Sequence, residues 1–220
     1  MYTGIAQAVV PLVQKIEDDG FTRYALRLPP GLLVELRIGA SVNVDGVCLS
    51  VVAIDSDVVA FDVSDGTMRI SNLGDRTVGS RVNVERSAKP GDENGGHVVT
   101  GHVSGTARVV GINTDSGPLF LLVEIPEPHR KYIFQRGFLA LNGASLTIAE
   151  ADAEAGYYKV NLIPETVRQT SLSDYRVGDR INYEIELQTQ IMVDTIERCM
   201  RQYLPATAYL PAASHLPAVA

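Results

Sequence analysis

The chain has 220 residues, of which 45% are hydrophobic and 20% are charged, a balance typical of a globular protein. This length allows one large domain or two of about 100 residues. The net charge of −7 argues against a nucleic-acid partner, because phosphate binding needs a basic surface. The sequence has no run of about 18 apolar residues, so we predict no membrane-spanning helix and no membrane partner.

The N-terminal stretch MYTGIAQA lacks the basic start and the long apolar core of a signal peptide. The two cysteines, Cys48 and Cys199, lie far apart, and neither belongs to a C-x-x-C pair. We therefore predict a cytoplasmic protein with reduced thiols.

The first half of the chain has the pattern of antiparallel strands. SVNVDGVCLSVVAI (41–54) and VVAFDVS (58–64) are short, rich in β-branched residues and broken by Asp-Gly or Ser-Asp turns. One short helix is predicted in PGLLVEL (30–36), and EPHRKYIF (127–134) offers a second at the matching place in the other half.

Three segments of the first half recur in the second half in the same order. YTGIAQA (2–8) and DGVCLSV (45–51) return 97 residues later as VTGHVSG (99–105) and NGASLTI (142–148). Residues 66–85 and 165–184 share nine of twenty positions. We therefore predict two homologous domains, residues 1–90 and 97–186, joined by KPGDENGG. Several short strands in about 90 residues favour a small closed barrel.

Residues 187–204 have apolar side chains at helical spacing and lie outside both repeats. This C-terminal helix packs either on its own second domain or against other copies of the chain; both domains look complete without it, which favours oligomerisation. The Ala- and Pro-rich tail, residues 205–220, is predicted to be disordered.

Common nucleotide and metal motifs are missing from the sequence. Neither a G-x-G-x-x-G nor a Walker loop is found, which argues against a Rossmann or P-loop site. GGHVVTGH (95–102) contains His97 and His102, but no carboxylate or cysteine lies close in sequence to complete a metal site. The alternative interpretation of these histidines is a turn and the start of a strand, with the glycines serving backbone geometry.

The repeat places Cys48 opposite Ser145. Alone, Cys48 has the character of a small buried hydrophobic residue on a strand. Two barrels that present a thiol and a hydroxyl at one position, however, suggest a divided chemical task. His102 strengthens this interpretation, because the first copy has Ile5 at the corresponding position.

These segments resemble the trimeric riboflavin synthase family, which also contains lumazine proteins. The resemblance extends to about Tyr203 and rests on TGI, DGVCLSV, TMRISNLGD, AKPGDENGGHVVTGH, KYIFQRGFLALNGASLTI, NLIPETVRQTSL and IELQTQIMVDTIER. It implies a mainly β fold: two homologous six-stranded Greek-key β-barrels in tandem and a C-terminal oligomerisation helix that forms a homotrimer.

The same resemblance implies the reaction. Each barrel holds one 6,7-dimethyl-8-ribityllumazine, and a four-carbon unit passes from one lumazine to the other, giving riboflavin and 5-amino-6-ribitylaminouracil. No metal and no cofactor is expected. The two reacting lumazines face each other between an N-terminal barrel and the C-terminal barrel of a neighbouring subunit.

The resemblance also assigns site residues. The expected catalytic residues are Cys48, His102, Ser145, Thr147 and Glu186. The N-terminal pocket is expected to contain Gly4, Ile5, Ala6, Cys48, Leu49, Ser50, Asp62, Val63, Ser64, Asp65, Gly66, Thr67, Gly101, His102 and Val103. The C-terminal pocket is expected to contain Arg136, Ser145, Leu146, Thr147, Ile163, Pro164, Glu165, Thr166, Val167 and Arg168.

Five positions depart from the family pattern. Tyr2 replaces a phenylalanine, Ser50 a threonine, Gly66 a glutamate, and Asn142 and Glu186 each an aspartate. Two functions of different class are therefore considered, an active synthase and a non-catalytic lumazine- or flavin-binding protein. A flavin-reductase-type barrel is disfavoured, because 220 residues leave no room for a nicotinamide domain.

Overall fold

The computed structural model describes residues 1–113 and 119–203, and within them the backbone forms two six-stranded antiparallel barrels. The strands of the first barrel are β1 (Ala8–Asp18), β2 (Phe21–Arg27), β3 (Ser41–Val44), β4 (Val47–Asp55), β5 (Val58–Ser64) and β6 (Arg81–Arg86). Those of the second are β7 (Gly105–Asn113), β8 (Phe120–Glu124), β9 (Phe138–Leu141), β10 (Ala144–Asp152), β11 (Tyr157–Asn161) and β12 (Arg180–Ile185). The strand orders β1-β2-β5-β4-β3-β6 and β7-β8-β11-β10-β9-β12 are equivalent, which confirms the predicted fold class.

The short helices also come in corresponding pairs. They are α1 (Pro30–Leu33) and α2 (Asp65–Ile70) in the first domain, and α3 (Glu127–Arg130) and α4 (Pro164–Gln169) in the second. A single 3-10 turn follows each of α2 and α4, at Asn72–Asp75 and Ser171–Asp174. The helices predicted near residues 30 and 127 are confirmed, each as one turn.

The Asx-Gly pairs of the repeated motif are tight hairpin turns. Asp45 and Gly46 have φ of 48° and 87°, and Asn142 and Gly143 have φ of 44° and 76°. Two successive positive φ values define the turn that matches strand twist, and Asx-Gly is the sequence best suited to it. These turns fix the register of β3 with β4 and of β9 with β10, and so place Cys48 and Ser145 at equivalent positions.

Each barrel has its own apolar core, and the two domains meet through buried polar side chains. Asn83 donates from Nδ2 to the Asn142 carbonyl at 3.0 Å, and Asn182 donates from Nδ2 to the Asp45 carbonyl at 2.7 Å. Asn83 Oδ1 accepts from the backbone N–H of Ser171 at 2.7 Å. These bonds satisfy backbone groups of the opposite domain, so the interface is specified by geometry as well as by burial.

The interface is symmetric except at one buried contact beside the hairpin turns. The carboxylate of Asp45 binds Arg76 at 2.6 Å, whereas Asn142, its repeat counterpart, donates to the hydroxyl of Tyr175. Tyr175 in turn corresponds to Arg76 in the repeat. Burial lowers the pKa of Arg76, and the Asp45 carboxylate more than restores it. The departure at Asn142 therefore belongs to the interface between the domains, where a neutral partner replaces the cation.

Helix α5 (Leu187–Tyr203) confirms the predicted C-terminal helix, and it has two different faces. One face lies on the second domain: Val193 packs against that core, Tyr132 donates to Asp194 at 2.5 Å, and Lys131 binds Glu197 at 2.7 Å. The other face leaves Ile191, Met192, Ile196 and Tyr203 more than half exposed. No helix among the described residues is long and apolar enough to cross a membrane. The predicted disordered tail lies outside the described residues.

Asp45→Asn tests the charged part of the interface. The substitution keeps the amide oxygen as an acceptor but leaves the guanidinium of Arg76 without its counterion, and only 18% of that side chain is exposed. We expect the free energy of unfolding in urea to fall by about 3 kcal/mol. Asp75→Asn is the matched control, because Asp75 pairs with Arg180 at the surface, and we expect it to cost less than about 1 kcal/mol. Equal losses of unfolding free energy in the two variants would contradict the conclusion that the Asp45–Arg76 pair stabilises the interface.

Candidate functional site

Cys48 lies on β4 and is held by the segment that leads into the second barrel. Its backbone N–H donates to the carbonyl of Gly101 at 2.8 Å, and its Sγ accepts from the hydroxyl of Tyr2 at 3.1 Å. Gly101 has φ of +84°, and a Cβ added there would lie 2.5 Å from the Cβ of Cys48. Only glycine fits this position. The surroundings of Cys48 therefore include backbone from the second domain.

Ser145 lies on β10 in the reciprocal arrangement. Its backbone N–H donates to the carbonyl of Gly4 at 2.7 Å, and a Cβ on Gly4 would lie 2.6 Å from the Cβ of Ser145. The prediction that Gly4, Ile5 and Ala6 share a pocket with Cys48 is therefore wrong, because this segment leads into the second barrel's site. Tyr2 and Val99 bond each other through their backbones at 2.7 and 3.0 Å, so the two segments cross as a short antiparallel bridge.

Two buried glutamates anchor the crossing segments, and the sequence interpretation did not identify them. Glu85 on β6 accepts from the N–H and hydroxyl of Thr3 at 2.6 and 2.7 Å and from the N–H of Gly4 at 3.1 Å. Glu184 on β12 binds Thr100 and Gly101 in the same way, at 2.6, 2.8 and 3.0 Å. Burial raises the pKa of Glu85, and these hydrogen bonds oppose the rise. The repeated Thr-Gly and the identical glutamate at the end of each repeat were the available signals.

His97 is a third residue whose importance the sequence interpretation underestimated. Its Nδ1 lies 2.6 Å from Oγ of Ser145, and its ring stacks on Phe138 with a centroid distance of 5.2 Å. Burial lowers the pKa of His97, and the negative charge of Glu186 partly opposes this effect. Ser145 and His97 thus form a pair within the electrostatic influence of Glu186, whereas His102 is exposed.

The remaining predicted residues divide by the face of the strand on which they lie. Ser50 and Thr147 are exposed and follow Cys48 and Ser145 on the same strand faces. Leu49, Val63 and Leu146 point into the cores, so only their backbone groups are left to contact a ligand.

The predicted residues at the ends of β5 and β11 lie on or beside helices. Ser64 caps α2, accepting from the N–H of Thr67 at 3.2 Å, and Asp62 pairs with Arg23 at 2.7 Å. Asp65, Gly66 and Thr67 belong to the first turn of α2, and Val103 is buried against the first core. In the second domain, Ile163 precedes α4 and is exposed. The rest of that group lies in α4 itself: Pro164, Glu165, Thr166, Val167 and Arg168.

Arg136 and Glu186 are the two predicted site residues that remain. Arg136 is exposed with φ of +68°, where the first domain has Gly39 with φ of +85°. A non-glycine residue in this strained region is a common mark of a functional position. Glu186 lies just before α5 and binds the hydroxyl of Thr189.

A cleft of about 600 Å³ lies away from both Cys48 and Ser145, between the two 3-10 turns. Ion pairs between the domains hold its walls together, Arg81 with Asp174 at 3.1 Å and Arg180 with Asp75 at 2.9 Å. Among the described residues, no group of three or more His, Cys, Asp or Glu could hold a metal ion.

Comparison with known proteins gives consistent matches. The model of the lumazine binding domain family matches residues 3–87 and 100–186. The riboflavin synthase of Escherichia coli (strain K12) is 42% identical over 201 residues, which cover 91% of this chain and 93% of that protein. The riboflavin synthase of Chlamydia trachomatis serovar D is 38% identical over 200 residues, covering 90% of this chain and 96% of the relative.

Solved structures match over both barrels. The crystal structure of LumP complexed with 6,7-dimethyl-8-(1'-D-ribityl) lumazine has a TM-score of 0.76 and 25% identity, and covers 84% of this chain and 99% of that chain. The structure of LumP complexed with riboflavin has a TM-score of 0.77 and 27% identity, with coverage of 84% and 100%.

His97→Gln should change how stability depends on pH. Because burial holds the pKa of His97 below its usual value, the folded protein resists protonation there, and the unfolded chain binds the proton first. The stabilising contribution is therefore present above about pH 6.5 and is lost as pH falls, by at most about 1.4 kcal/mol per pH unit. We expect the free energy of unfolding, measured with urea between pH 7 and 5, to change less with pH in His97→Gln than in the native protein. A pH dependence of stability that is unchanged in His97→Gln would contradict this account.

Proposed function

The chain belongs to the lumazine-binding family to which the curated riboflavin synthases belong, and we propose that it converts two molecules of 6,7-dimethyl-8-ribityllumazine into riboflavin and 5-amino-6-ribitylaminouracil. It is an enzyme of the transferase class, since a four-carbon unit passes from one lumazine to the other. The observation that carries the proposal is the 42% identity to the Escherichia coli enzyme over nearly the whole of both chains.

The pairing of a thiol pocket with a hydroxyl pocket supports this reaction. The two substrate molecules are identical, but one donates the four-carbon unit and the other accepts it. Cys48 with Tyr2 and Ser145 with His97 give the two rings different polar surroundings. A duplicated site with unequal side chains is what such a dismutation requires.

We assign the first lumazine to the pocket of Cys48. It contains Ser50, the residues Asp62 to Thr67 at the end of β5, and the crossing segment Gly101 to Val103. His102 lies exposed on that segment beside Cys48. Its position suits proton transfer to and from the acidic C7 methyl group of the lumazine, because histidine is the side chain that most often acts as a general acid or base.

We assign the second lumazine to the pocket of Ser145. It contains Thr147, Arg136, the residues Ile163 to Arg168 and the crossing segment Gly4 to Ala6. His97 orients the Ser145 hydroxyl, and Glu186 supports the histidine electrostatically. Holding two rings in stacked register supplies most of the rate enhancement, since proximity and orientation contribute roughly 7–11 kcal/mol.

The proposal includes a homotrimer in which the two lumazines meet across a subunit boundary. The exposed apolar face of α5 supports it: Ile191, Met192 and Ile196 are each more than half exposed in the single chain. We place the enzyme in the cytoplasm, which suits its two free thiols.

A non-catalytic lumazine- or flavin-binding protein is the second candidate. The fold match to LumP complexed with riboflavin favours it, although at 27% identity. The distinction between the two candidates is chemical, because a binding protein occupies its pockets without consuming lumazine.

The test of function mixes the purified protein with dimethylribityllumazine and follows riboflavin by absorbance. We expect one riboflavin for every two lumazines consumed, because the reaction is a dismutation. We expect His102→Gln to lower turnover by about 10²-fold while riboflavin binding, read from fluorescence quenching, changes little. Lumazine binding without riboflavin formation would favour the second candidate. Normal turnover in His102→Gln with loss in His97→Gln would move the proton-transfer role to His97.

The test of assembly uses Ile196→Glu. A carboxylate on the exposed apolar face of α5 opposes burial between subunits, and we expect sedimentation to report folded monomers that still bind ligand but turn over slowly. Lys131→Ala is the control, since it removes the ion pairs of α5 with its own domain, keeps the Tyr132–Asp194 hydrogen bond and leaves the apolar face intact. A trimer that survives Ile196→Glu would contradict the proposed interface.

A further inference from the structure

Tyr2 occupies a position where the two halves of the chain differ. Its repeat counterpart is Val99, and its side chain is only 2% exposed. The phenol ring packs against Gly101, and a Cβ added to that glycine would lie 3.0 Å from the ring. The hydroxyl at the end of the ring reaches Sγ of Cys48 at 3.1 Å. The second barrel has no equivalent, because a valine side chain cannot make this hydrogen bond.

The direction of this hydrogen bond is fixed by the chemistry of Tyr2. Burial raises the pKa of Tyr2 above its ordinary value, and the contact with Cys48 raises it further, so the phenol keeps its proton at any physiological pH. A protonated phenol donates and the sulfur accepts. The backbone N–H of Cys48 is bound to Gly101 at the same time. Both the backbone and the sulfur of Cys48 are therefore held in place.

We propose that Tyr2 is a positioning residue for Cys48, whose hydroxyl orients the sulfur and makes it more reactive. A donor aimed at sulfur stabilises the thiolate more than the thiol, because hydrogen bonds to charged acceptors are the stronger ones. The thiolate is the form of cysteine that reacts. The effect on turnover rests on the proposed function, whereas the effect on the thiol does not.

This role separates the two pockets further. Ser145 has His97 as its partner, at 2.6 Å, and Cys48 has Tyr2. Each polar group of the duplicated site thus has a different partner. The departure from the family phenylalanine at position 2 adds a hydroxyl beside the thiol of the first pocket only.

The test compares the alkylation of Cys48 by iodoacetamide in two proteins. Both carry Cys199→Ser, because the chain has only these two cysteines. One of them also carries Tyr2→Phe, which keeps the ring and removes the hydroxyl. We expect alkylation at pH 7 to slow by about two- to threefold: the loss of about 1 kcal/mol for one hydrogen bond lowers the thiolate fraction about fivefold, and the higher nucleophilicity of the more basic thiolate recovers part of the rate. With dimethylribityllumazine as substrate, we expect kcat to fall and KM to stay within about twofold.

Tyr24→Phe is the matched control. Tyr24 is a buried tyrosine of the same barrel, and its hydroxyl donates to the Leu73 carbonyl instead of to Cys48. We expect this variant to lose stability and to keep the native alkylation rate. A similar slowing of alkylation in both variants would overturn the proposal, since it would reflect a general loosening of the barrel.

Two further outcomes decide the matter. Unchanged alkylation in Tyr2→Phe would overturn the proposal, and so would slower alkylation with unchanged kcat, which would remove Tyr2 from catalysis. A native protein that forms no riboflavin would contradict the proposed function instead. The alkylation comparison would still report whether Tyr2 controls the thiol, so the two failures are distinguishable.

Discussion

Gly4 and Gly101 lie so close to the opposite barrel that no side chain fits between them and the residues they contact. A Cβ on either glycine would lie within 2.6 Å of Ser145 or Cys48, a separation that real atoms do not adopt. The contact is made instead by backbone, with bonds of 2.7 and 2.8 Å. Each domain therefore contributes one wall to the site of the other, and the glutamates Glu85 and Glu184 hold those walls in position.

The repeat and its strand pattern favoured two small closed barrels, because turn chemistry and strand patterning act locally, and the family resemblance added the six-stranded Greek-key topology. Asp45-Gly46 and Asn142-Gly143 demand tight turns whatever surrounds them. The exchange of segments could not be predicted in this way. The alignment of the two copies pairs Gly4 with Gly101, but it does not show which barrel each glycine contacts. His97 was missed for a related reason: its counterpart would lie 97 residues earlier, before Met1, so the repeat offered nothing for comparison.

The residues that are identical in the two domains bond to backbone groups, whereas those that differ contact other side chains. Asn83 and Asn182 bond to backbone groups, and so do Glu85 and Glu184. Backbone groups recur in both copies, so the side chains that satisfy them must recur too. At the pockets, side chains contact other side chains, and a change on one side can be met by a change on the other. Asp45 with Arg76 and Asn142 with Tyr175 are two solutions of this type at the interface.

The crossing of the two segments also has an effect during synthesis. The strands of the first barrel, Ala8 to Arg86, leave the ribosome before Gly101, which completes the surroundings of Cys48. Gly4 is made before both barrels, yet its contact is Ser145 in the second barrel. The nascent chain thus carries a finished first barrel in which Cys48 still lacks its contact with Gly101, and the contacts of Cys48 and Ser145 with the crossing segments are complete only when the second barrel folds. A ligand that needs both walls can stabilise the protein only after the second barrel has been made, so the first domain depends on its own core until then.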